Sequence, residues 1–175
     1  MQAPYQRILL IGCGGSGKST LARRLGEKTG LPVVHLDQLF WLPGWRERSR
    51  EEFDAALDQW LQQDRWIIDG NYDRTLPKRL QRCDAVIWLD FSRRTCLCGV
   101  IRRVLNNRGK TRADMAAGCP ERFDAAFMKW IWNFNRDHRE KYRAMLFGTD
   151  AAVFTLRHRR EIEPLLQLLS HCGKS

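Results

Sequence analysis

A glycine-rich stretch near the N-terminal end constrains the fold of this chain more than any other feature. Residues 9–25 read LLIGCGGSGKSTLARRL, which contains the spacing G-x-x-x-x-G-K-S beginning at Gly12. The apolar run at 7–11 predicts a buried strand before this spacing, and the leucines and alanine after it recur with helical periodicity. A strand, a glycine loop and a helix in this order are typical of a phosphate-binding loop.

The loop predicts contacts to the phosphates of ATP. Glycine adopts backbone angles that other residues avoid, so consecutive N–H groups can converge on an anion at the positive end of the following helix. Lys18 would reach the β- and γ-phosphates, and Ser19 would bind Mg²⁺. A flexible turn without a ligand is the alternative interpretation. The predicted nucleotide-binding residues of the loop are Gly12, Cys13, Gly14, Gly15, Ser16, Gly17, Lys18, Ser19 and Thr20.

Length and composition predict a single domain over 1–175. A chain of 175 residues with 43% hydrophobic content can bury one substantial core but is short for two. No apolar stretch has the length of a membrane span or of a signal peptide, so we expect no membrane partner. The six cysteines follow neither a metal-site nor a disulfide spacing, which favours reduced thiols and a cytoplasmic location.

The charge balance predicts anionic partners. Thirty Lys and Arg residues against twenty Asp and Glu residues give a formal net charge of +10, and most of the cations are arginine. The planar guanidinium of arginine matches phosphate oxygens in geometry. Charge alone does not distinguish a small phosphate compound from a nucleic acid.

The rest of the chain alternates between short apolar runs and amphipathic segments. This alternation predicts a parallel sheet with helices on both faces, and ligands bind such sheets at the carboxyl ends of the strands. Three of those ends carry an aspartate, namely Asp37, Asp69 and Asp90. The predicted strands are 7–11, 31–37, 65–69, 85–91 and 151–156, and the predicted later helices are 50–63, 76–81, 95–107, 121–145 and 159–169.

Several motifs resemble those of P-loop small-molecule kinases of the adenylate-kinase-like class. They are GCGGSGKST, WIIDGNYDRTLPKRL, which is similar to the D-G-F-P-R-T segment of that class, and the arginine-dense VIRRVLNNRGKTR. HLDQLFWLPGW, WIIDGNY, GKTRADM and WIWNFN more closely resemble a bacterial family known as DNA topology modulation proteins. The resemblance implies a three-layer P-loop NTPase fold with a five-stranded parallel sheet, a short lid, and phosphoryl transfer that depends on ATP and Mg²⁺.

The acceptor side departs from adenylate kinase. DGNYDRT lacks the proline and has one extra residue, so the phosphate-binding arginine does not map securely onto Arg74, and Phe40 stands where that class has another arginine. The segment 38–65 is the predicted acceptor-binding segment. Its aromatic side chains predict either a pocket that holds a ring or packing of a loop against the sheet.

The strand-end aspartates have different predicted roles. In the resembled class the third strand lies beside the first, so Asp69 is the predicted magnesium-site carboxylate, whereas Asp90 would lie farther along the sheet. Asp37 would contact the acceptor or act as a general base, and its alternative is a helix cap or turn carboxylate.

The arginine-rich stretch predicts a helix and a lid. The apolar residues from Leu97 to Leu105 recur with helical spacing and predict one buried stripe. The resemblance implies a lid over 108–120, with Arg103 and Arg108 as catalytic residues that stabilise the transferring phosphoryl group. It also implies that Arg157, after the fifth strand, contacts the adenine of ATP.

The sequence therefore predicts a P-loop kinase that transfers the γ-phosphoryl group of ATP to a small-molecule acceptor. A hydroxyl acceptor is favoured, and Lys18 and Asp37 are among the predicted catalytic residues. We expect a monomer or a homodimer. The alternative is an ATP-binding protein that acts with DNA and has no small-molecule kinase activity, but only charge supports it. A GTPase switch is disfavoured because no Asn-Lys-x-Asp motif occurs.

Overall fold

The computed structural model describes residues 4–171, which form one five-stranded parallel sheet covered by helices, with a small two-stranded hairpin beside it. The strands are β1 (Arg7–Gly12), β2 (Val33–His35), β3 (Trp41–Leu42), β4 (Arg46–Glu47), β5 (Trp66–Asp69), β6 (Ala85–Leu89) and β7 (Ala152–Leu156). The helices are α1 (Lys18–Thr29), α2 (Leu36–Phe40), α3 (Arg50–Leu61), α4 (Leu76–Leu80), α5 (Arg93–Asn107), α6 (Ala125–Phe147) and α7 (Ile162–His171).

The central position of β1 places the phosphate loop in the middle of the sheet. The strand order is β2-β5-β1-β6-β7, and every pair in this sheet is parallel. β1, β5 and β6 are almost entirely buried, as expected for parallel strands covered on both faces. The carboxyl ends of β1 and β5 are therefore neighbours, with Leu10 paired to Asp69.

Local sequence signals explain where the helices begin. Ser49 and Glu52 form a capping box at α3, in which each side chain accepts from the other residue's backbone N–H. Ser92 caps α5 and Asp124 caps α6 through their side-chain oxygens. In contrast, α1 begins at Gly17 with no side-chain cap, which leaves its first turn available to a ligand.

The five predicted strands are confirmed, with two corrections to their surroundings. β2 ends at His35, two residues before the predicted end, so Asp37 lies in the short helix α2 rather than at a strand terminus. The expectation that Asp90 lies farther from β1 than Asp69 is wrong, because β6 and β5 both pair with β1.

The predicted buried stripe of α5 is also partly wrong. Val100 is buried, but Ile101 is 47% exposed and Leu105 is 74% exposed. The burial is displaced towards Cys96, because α5 packs on the phosphate loop and on α6 rather than lying flat on the sheet. Within residues 4–171, no helix combines the length and apolar character that crossing a bilayer requires.

Candidate active site

A cleft of about 1370 Å³ opens at the carboxyl ends of β1, β2 and β5. Its walls come from the phosphate loop, from α2 with the β3–β4 hairpin, from the loop after β5, from one face of α5, and from residues 110–115 with the start of α6. This is the position at which open parallel sheets bind their ligands. The cleft brings together most of the residues that the sequence singled out.

The phosphate loop has the geometry of an anion cradle. Gly17 adopts the left-handed φ of 98°, and no side chain caps the first turn of α1. The Lys18 ammonium donates to the carbonyl oxygen of Cys13 at 3.2 Å, so it lies folded over the loop. Of the predicted nucleotide-binding residues, Gly14, Gly15, Gly17, Lys18, Ser19 and Thr20 line the cleft, whereas Gly12, Cys13 and Ser16 are buried and do not.

The loop packs against α5 without space for a side chain. A Cβ added at Gly99 would overlap the carbonyl oxygen of Gly15, and a Cβ added at Gly15 would overlap the carbonyl oxygen of Cys96. Gly15 also has a left-handed φ of 77°. The second wall of the phosphate site is therefore the backbone of α5, and glycine is needed on both sides of the contact.

Asp37 reaches the cleft beside the loop that follows β5. Its Oδ1 accepts a hydrogen bond from the Tyr72 hydroxyl at 2.7 Å. Burial raises the pKa of Asp37 above the ordinary value of 3.8, and the Asp69 carboxylate acts in the same direction. The Tyr72 hydrogen bond and the positive charge of Lys18 lower this pKa without cancelling the effect of burial. A partly desolvated carboxylate near Lys18 is chemically suited to accept a proton.

Asp69 has an oxygen that no described residue satisfies. The residue is 4% exposed, and its Oδ2 lies 2.9 Å from Nδ1 of His35. Its Oδ1 is buried and has no hydrogen-bond partner within residues 4–171. Because a buried carboxylate oxygen without a partner is unfavourable, a cation at this point of the cleft would fit the residues present. Ser19 and Asp69, the two predicted magnesium residues, both line the same cleft.

Asp90 is engaged elsewhere. Its Oδ1 accepts from Nε of Arg139 on α6 at 2.7 Å, and it does not line the cleft among the described residues. The sheet order therefore gives the two aspartates similar distances from β1, and their side-chain partners distinguish them. Asp69 has an oxygen without a partner at the cleft, whereas the Asp90 carboxylate is paired with Arg139 and does not border the cleft.

Two arginines in or near the predicted lid pair with one buried carboxylate. Glu121 is 5% exposed, and its Oε2 lies 3.0 Å from Nε of Arg103 and 2.8 Å from Nε of Arg112. Arg112 also pairs with Asp114, with 2.6 Å between Nη1 and Oδ2. All four residues line the cleft, so Arg103 borders it as its predicted role requires, and Arg112 is an additional cation there.

Arg108, which was predicted to be catalytic, does not line the described cleft, and its role stays a prediction. It is exposed and follows the last residue of α5, where the chain turns away through Gly109, which has a φ of 73°. Arg157 is likewise exposed and does not line the described part of the cleft. Instead Arg159 lines it, and its Nη2 donates to the carbonyl oxygen of Gly15 at 3.4 Å.

The predicted lid is tied to the β3–β4 hairpin rather than standing free. The bonds that join them are Gly44 N to Gly118 O at 2.9 Å, Trp45 Nε1 to Pro120 O at 3.2 Å, and Cys119 Sγ to Leu42 O at 3.3 Å. Gln38 of α2 adds a bond from Nε2 to the carbonyl oxygen of Ala113 at 2.6 Å. The predicted acceptor-binding segment and the predicted lid therefore form one continuous wall.

The aromatic residues of the acceptor-binding segment divide into two groups. Phe40 packs edge-on against Phe53 at 5.6 Å and also contacts Tyr72 at 5.0 Å, so it supports the wall although it also borders the cleft. Trp41 and Trp45 are partly exposed and line the cleft, with their ring centroids 5.4 Å apart. Packing of the segment is therefore shown for Phe40, and a ring-binding role for Trp41 and Trp45 stays a prediction.

The loop after β5 depends on an arginine that the sequence analysis did not select. Arg79 of α4 is fully buried and donates to the carbonyl oxygens of Gly70, Asn71 and Tyr72. Asn71 in turn accepts from the backbone N–H of Gly12 at 3.0 Å. The spacing of Leu76, Arg79 and Leu80 on one helix face was the available sequence signal for a buried arginine.

Arg74, the residue considered as a phosphate ligand, is exposed and pairs with Asp54 through two bonds of 2.6 and 2.8 Å. It does not line the described cleft. The extra residue in DGNYDRT lies in the turn before Arg74, where Tyr72 has a φ of 41°. The Arg74 side chain therefore lies against α3.

Comparison with known proteins shows the fold. No family model matches the chain, and no curated protein sequence is significantly similar to it. The chain is similar in structure to shikimate kinase from Acinetobacter baumannii in complex with shikimate, with a TM-score of 0.62, 17% identity, and coverage of 98% of this chain and 97% of that one. It is also similar to shikimate kinase from Bacteroides thetaiotaomicron, with a TM-score of 0.55, 21% identity, and coverage of 94% and 96%. The chain thus has the α/β fold of these P-loop kinases, and no comparison supports the resemblance to DNA topology modulation proteins.

Proposed function

We propose that this chain is an ATP- and Mg²⁺-dependent kinase that transfers the γ-phosphoryl group to a hydroxyl of a small acceptor. The observation that carries the proposal is Asp37, a partly desolvated carboxylate of raised pKa in the same cleft as the phosphate loop and Lys18. An acceptor hydroxyl must lose its proton during attack, and a carboxylate beside the phosphate loop can take it.

The chain's own residues supply the phosphate chemistry. The N–H groups of the loop and of the first turn of α1 hold the β- and γ-phosphates, together with the Lys18 ammonium. Arg103 and Arg112 neutralise charge that develops on the transferring group, because their guanidiniums border the cleft. Ser19 and Asp69 would hold Mg²⁺, and the ion would supply positive charge that offsets the charge of the phosphates.

Asp37 acts on the acceptor. Its Oδ1 is held by the Tyr72 hydroxyl, which leaves the other oxygen to orient the attacking hydroxyl and to accept its proton. Such proton transfer contributes roughly 10²–10⁴ in rate. A phosphate acceptor would not need this base, since its oxygens are already largely ionised at neutral pH.

The acceptor is expected to carry an anionic group as well as the hydroxyl. Arg102, Arg103, Arg112 and Arg122 all border the cleft, and Arg122 lies 5.4 Å from the ring centroid of Trp45. Guanidiniums of this kind bind carboxylates in a bidentate manner. One of the similar structures is a complex with shikimate, which carries hydroxyls and a carboxylate, so hydroxy acids are the first compounds to test.

The test is acceptor-stimulated ADP release by the wild-type chain and by Asp37→Asn. Hydroxy acids, sugars, nucleosides and nucleoside monophosphates are compared at fixed ATP and Mg²⁺. With the best acceptor, Asp37→Asn should lower kcat by about 10²–10⁴ and leave the Kd for ATP near normal. Asp137→Asn, a change of the same type at an exposed position on α6, should retain full activity.

Three results would contradict the proposal. If Asp37→Asn retained near-wild-type kcat, Asp37 would not be the base, and a monophosphate would be the better acceptor. If none of the compounds stimulated ADP release, kinase activity on these acceptors would be excluded. ATP turnover that rose only on addition of DNA would favour the alternative function.

A further inference from the structure

Glu121 follows the predicted lid, and its backbone is fixed on both sides of the residue. Its N–H donates to the carbonyl oxygen of Lys110 at 2.9 Å, and its carbonyl oxygen accepts from the N–H of Gly109 at 3.0 Å. The residue is 5% exposed and borders the cleft. The carboxylate therefore extends from a rigid, buried point of the chain, which is what a residue that orients other side chains requires.

The Glu121 carboxylate lies between two guanidiniums from different segments. Arg103 comes from near the end of α5, and Arg112 comes from the predicted lid. Oε2 of Glu121 lies 3.0 Å from Nε of Arg103 and 2.8 Å from Nε of Arg112, and Oε1 accepts from Nη2 of Arg103 at 3.2 Å. Within residues 4–171, neither Nε–H group aligns with Oε2 for a hydrogen bond. Charge rather than hydrogen-bond geometry therefore holds Arg112 against Glu121.

Glu121 offsets a repulsion between the two guanidiniums. Burial lowers the pKa of Arg103 below the ordinary value of 12.5, and the positive charge of Arg112 acts in the same direction, whereas Glu121 raises this pKa. Arg112 also pairs with Asp114 at 2.6 Å, so the cluster contains two positive and two negative charges. Without the Glu121 carboxylate, we expect the two guanidiniums to move apart.

The pairing leaves part of each guanidinium available to a ligand, since arginine has five N–H donors. Among the described residues, none is hydrogen-bonded to Nη1 of Arg103 or to Nη2 of Arg112. Arg103 also lies over the ring of Phe127, 5.6 Å from its centroid, and all three residues border the cleft. Donors that are fixed before the reaction stabilise charge that develops in the transition state better than donors that must first be reoriented.

We propose that Glu121 is a positioning residue for phosphoryl transfer, which holds the guanidiniums of Arg103 and Arg112 side by side towards the transferring group. This inference rests on the proposed function, because it explains how the two cations that act there are placed. Glu121 itself does not contact the substrate. Since Glu121 and Asp114 balance the two positive charges, the cluster adds little net attraction for ATP, and the effect of Glu121 is expected in turnover rather than in binding.

The test separates turnover from nucleotide binding. Acceptor-stimulated ADP release gives kcat, and calorimetric titration with Mg²⁺ and AMP-PNP, a non-hydrolysable ATP analogue, gives a Kd. Glu121→Gln keeps the shape and removes the charge, so kcat should fall by roughly 10–100-fold as the guanidiniums move apart. The Kd for AMP-PNP should stay within about threefold of wild type or become lower, since the cluster gains one positive charge. Glu140→Gln, the same change at an exposed ion pair with Arg143, should leave both quantities unchanged.

A second comparison asks whether Glu121 acts through the pair of arginines. Once Arg112→Met has removed one of the two charges, no repulsion remains for Glu121 to offset. In that background Glu121→Gln should lower kcat by less than about threefold relative to Arg112→Met alone. The double variant loses one charge of each sign, so it avoids an unpaired buried cation and decides the question even if Glu121→Gln alone does not fold. Circular dichroism monitors folding of each variant.

The outcomes distinguish the inference from the function on which it rests. A near-wild-type kcat in Glu121→Gln would overturn the inference, and so would a parallel loss of kcat and of AMP-PNP affinity, which indicates general support of the lid. An equal fall in kcat with and without Arg112→Met would also overturn it. In each of these cases acceptor-dependent ADP release by wild type would leave the kinase proposal intact. If wild type released no ADP with any acceptor, the proposed function would fail, and this inference with it.

Discussion

Arg79 of α4 supports the loop after β5, and its replacement should destabilise the protein more than any single change within that loop. The guanidinium is fully buried, and burial lowers the pKa of Arg79 to about 10, which leaves it cationic at neutral pH. It donates to three consecutive backbone carbonyls, those of Gly70, Asn71 and Tyr72. Arg79→Met keeps much of the side-chain length and removes all of these donors.

The size of the effect follows from the hydrogen bonds that are lost. Bonds to a charged donor contribute about 1.5–3 kcal/mol each, but the contributions of adjacent bonds are not additive, and removing the buried cation offsets part of the loss. We expect Arg79→Met to lower the free energy of unfolding by roughly 3–5 kcal/mol. For a chain of this size that corresponds to a decrease of about 10 °C in Tm. Arg79→Lys keeps the charge and should lower the free energy of unfolding by about half as much.

Equilibrium unfolding in urea, followed by circular dichroism, measures this difference. Arg82→Met is the matched control, because Arg82 makes one bond of 3.3 Å to the carbonyl oxygen of Leu61 and is exposed. Arg82→Met should lower the free energy of unfolding by less than about 1 kcal/mol. A loss below 1 kcal/mol for Arg79→Met would refute the view that the guanidinium holds the loop, and the three carbonyls would then have to find other donors.

Three further predictions concern the cleft. Lys18→Ala should lower kcat for phosphoryl transfer by at least about 10²-fold, which steady-state kinetics measures. The free energy of unfolding, measured in urea, should change by less than about 1 kcal/mol, because Lys18 contacts the loop and not the core. Gly99→Ala should destabilise the chain by about 1–3 kcal/mol, although alanine favours helices, because the added Cβ overlaps Gly15; a gain in Tm would contradict it. In Tyr72→Phe the hydrogen bond that lowers the pKa of Asp37 is lost, so this pKa rises further. The base must be ionised to act, and the acid limb of the kcat profile should therefore move to higher pH. An unmoved limb would exclude Asp37 as the titrating group.

The sequence predicted the features that depend on local spacing. The phosphate loop requires particular residue types at particular positions between a strand and a helix, and β1, the glycine loop and α1 follow one another in this order. Apolar runs bounded by turns predicted the strands of the sheet, and strand ends in a parallel sheet share one edge. This geometry brings Asp69 to the cleft, whereas Asp37 reaches the cleft from the short helix α2.

The features that the sequence did not predict depend on contacts between distant segments. Arg108 and Arg112 have equivalent charges and lie four residues apart, and only the turn after α5 directs the second towards Glu121. The helical spacing at Arg79 indicates burial, but the carbonyl oxygens to which it donates belong to a loop that spacing does not predict. Asp90 resembles Asp69 in its position after an apolar strand, and the pairing with Arg139 on α6 is what separates them.

The loop at 70–72 connects the phosphate loop with Asp37. Asn71 holds the backbone N–H of Gly12 at the base of the phosphate loop, and Tyr72 holds the carboxylate of Asp37 on the acceptor side. Both residues have their carbonyls fixed by Arg79, and Tyr72 has a left-handed φ of 41°, a conformation that costs about 1–2 kcal/mol for such a residue. Arg79 thus stabilises a strained loop whose side chains contact both the phosphate loop and Asp37. On the proposed function, a substitution at Lys18 should remove a phosphate contact and a charge that lowers the pKa of Asp37, whereas a substitution at Arg79 should alter stability, phosphate-loop geometry and the position of Tyr72 together.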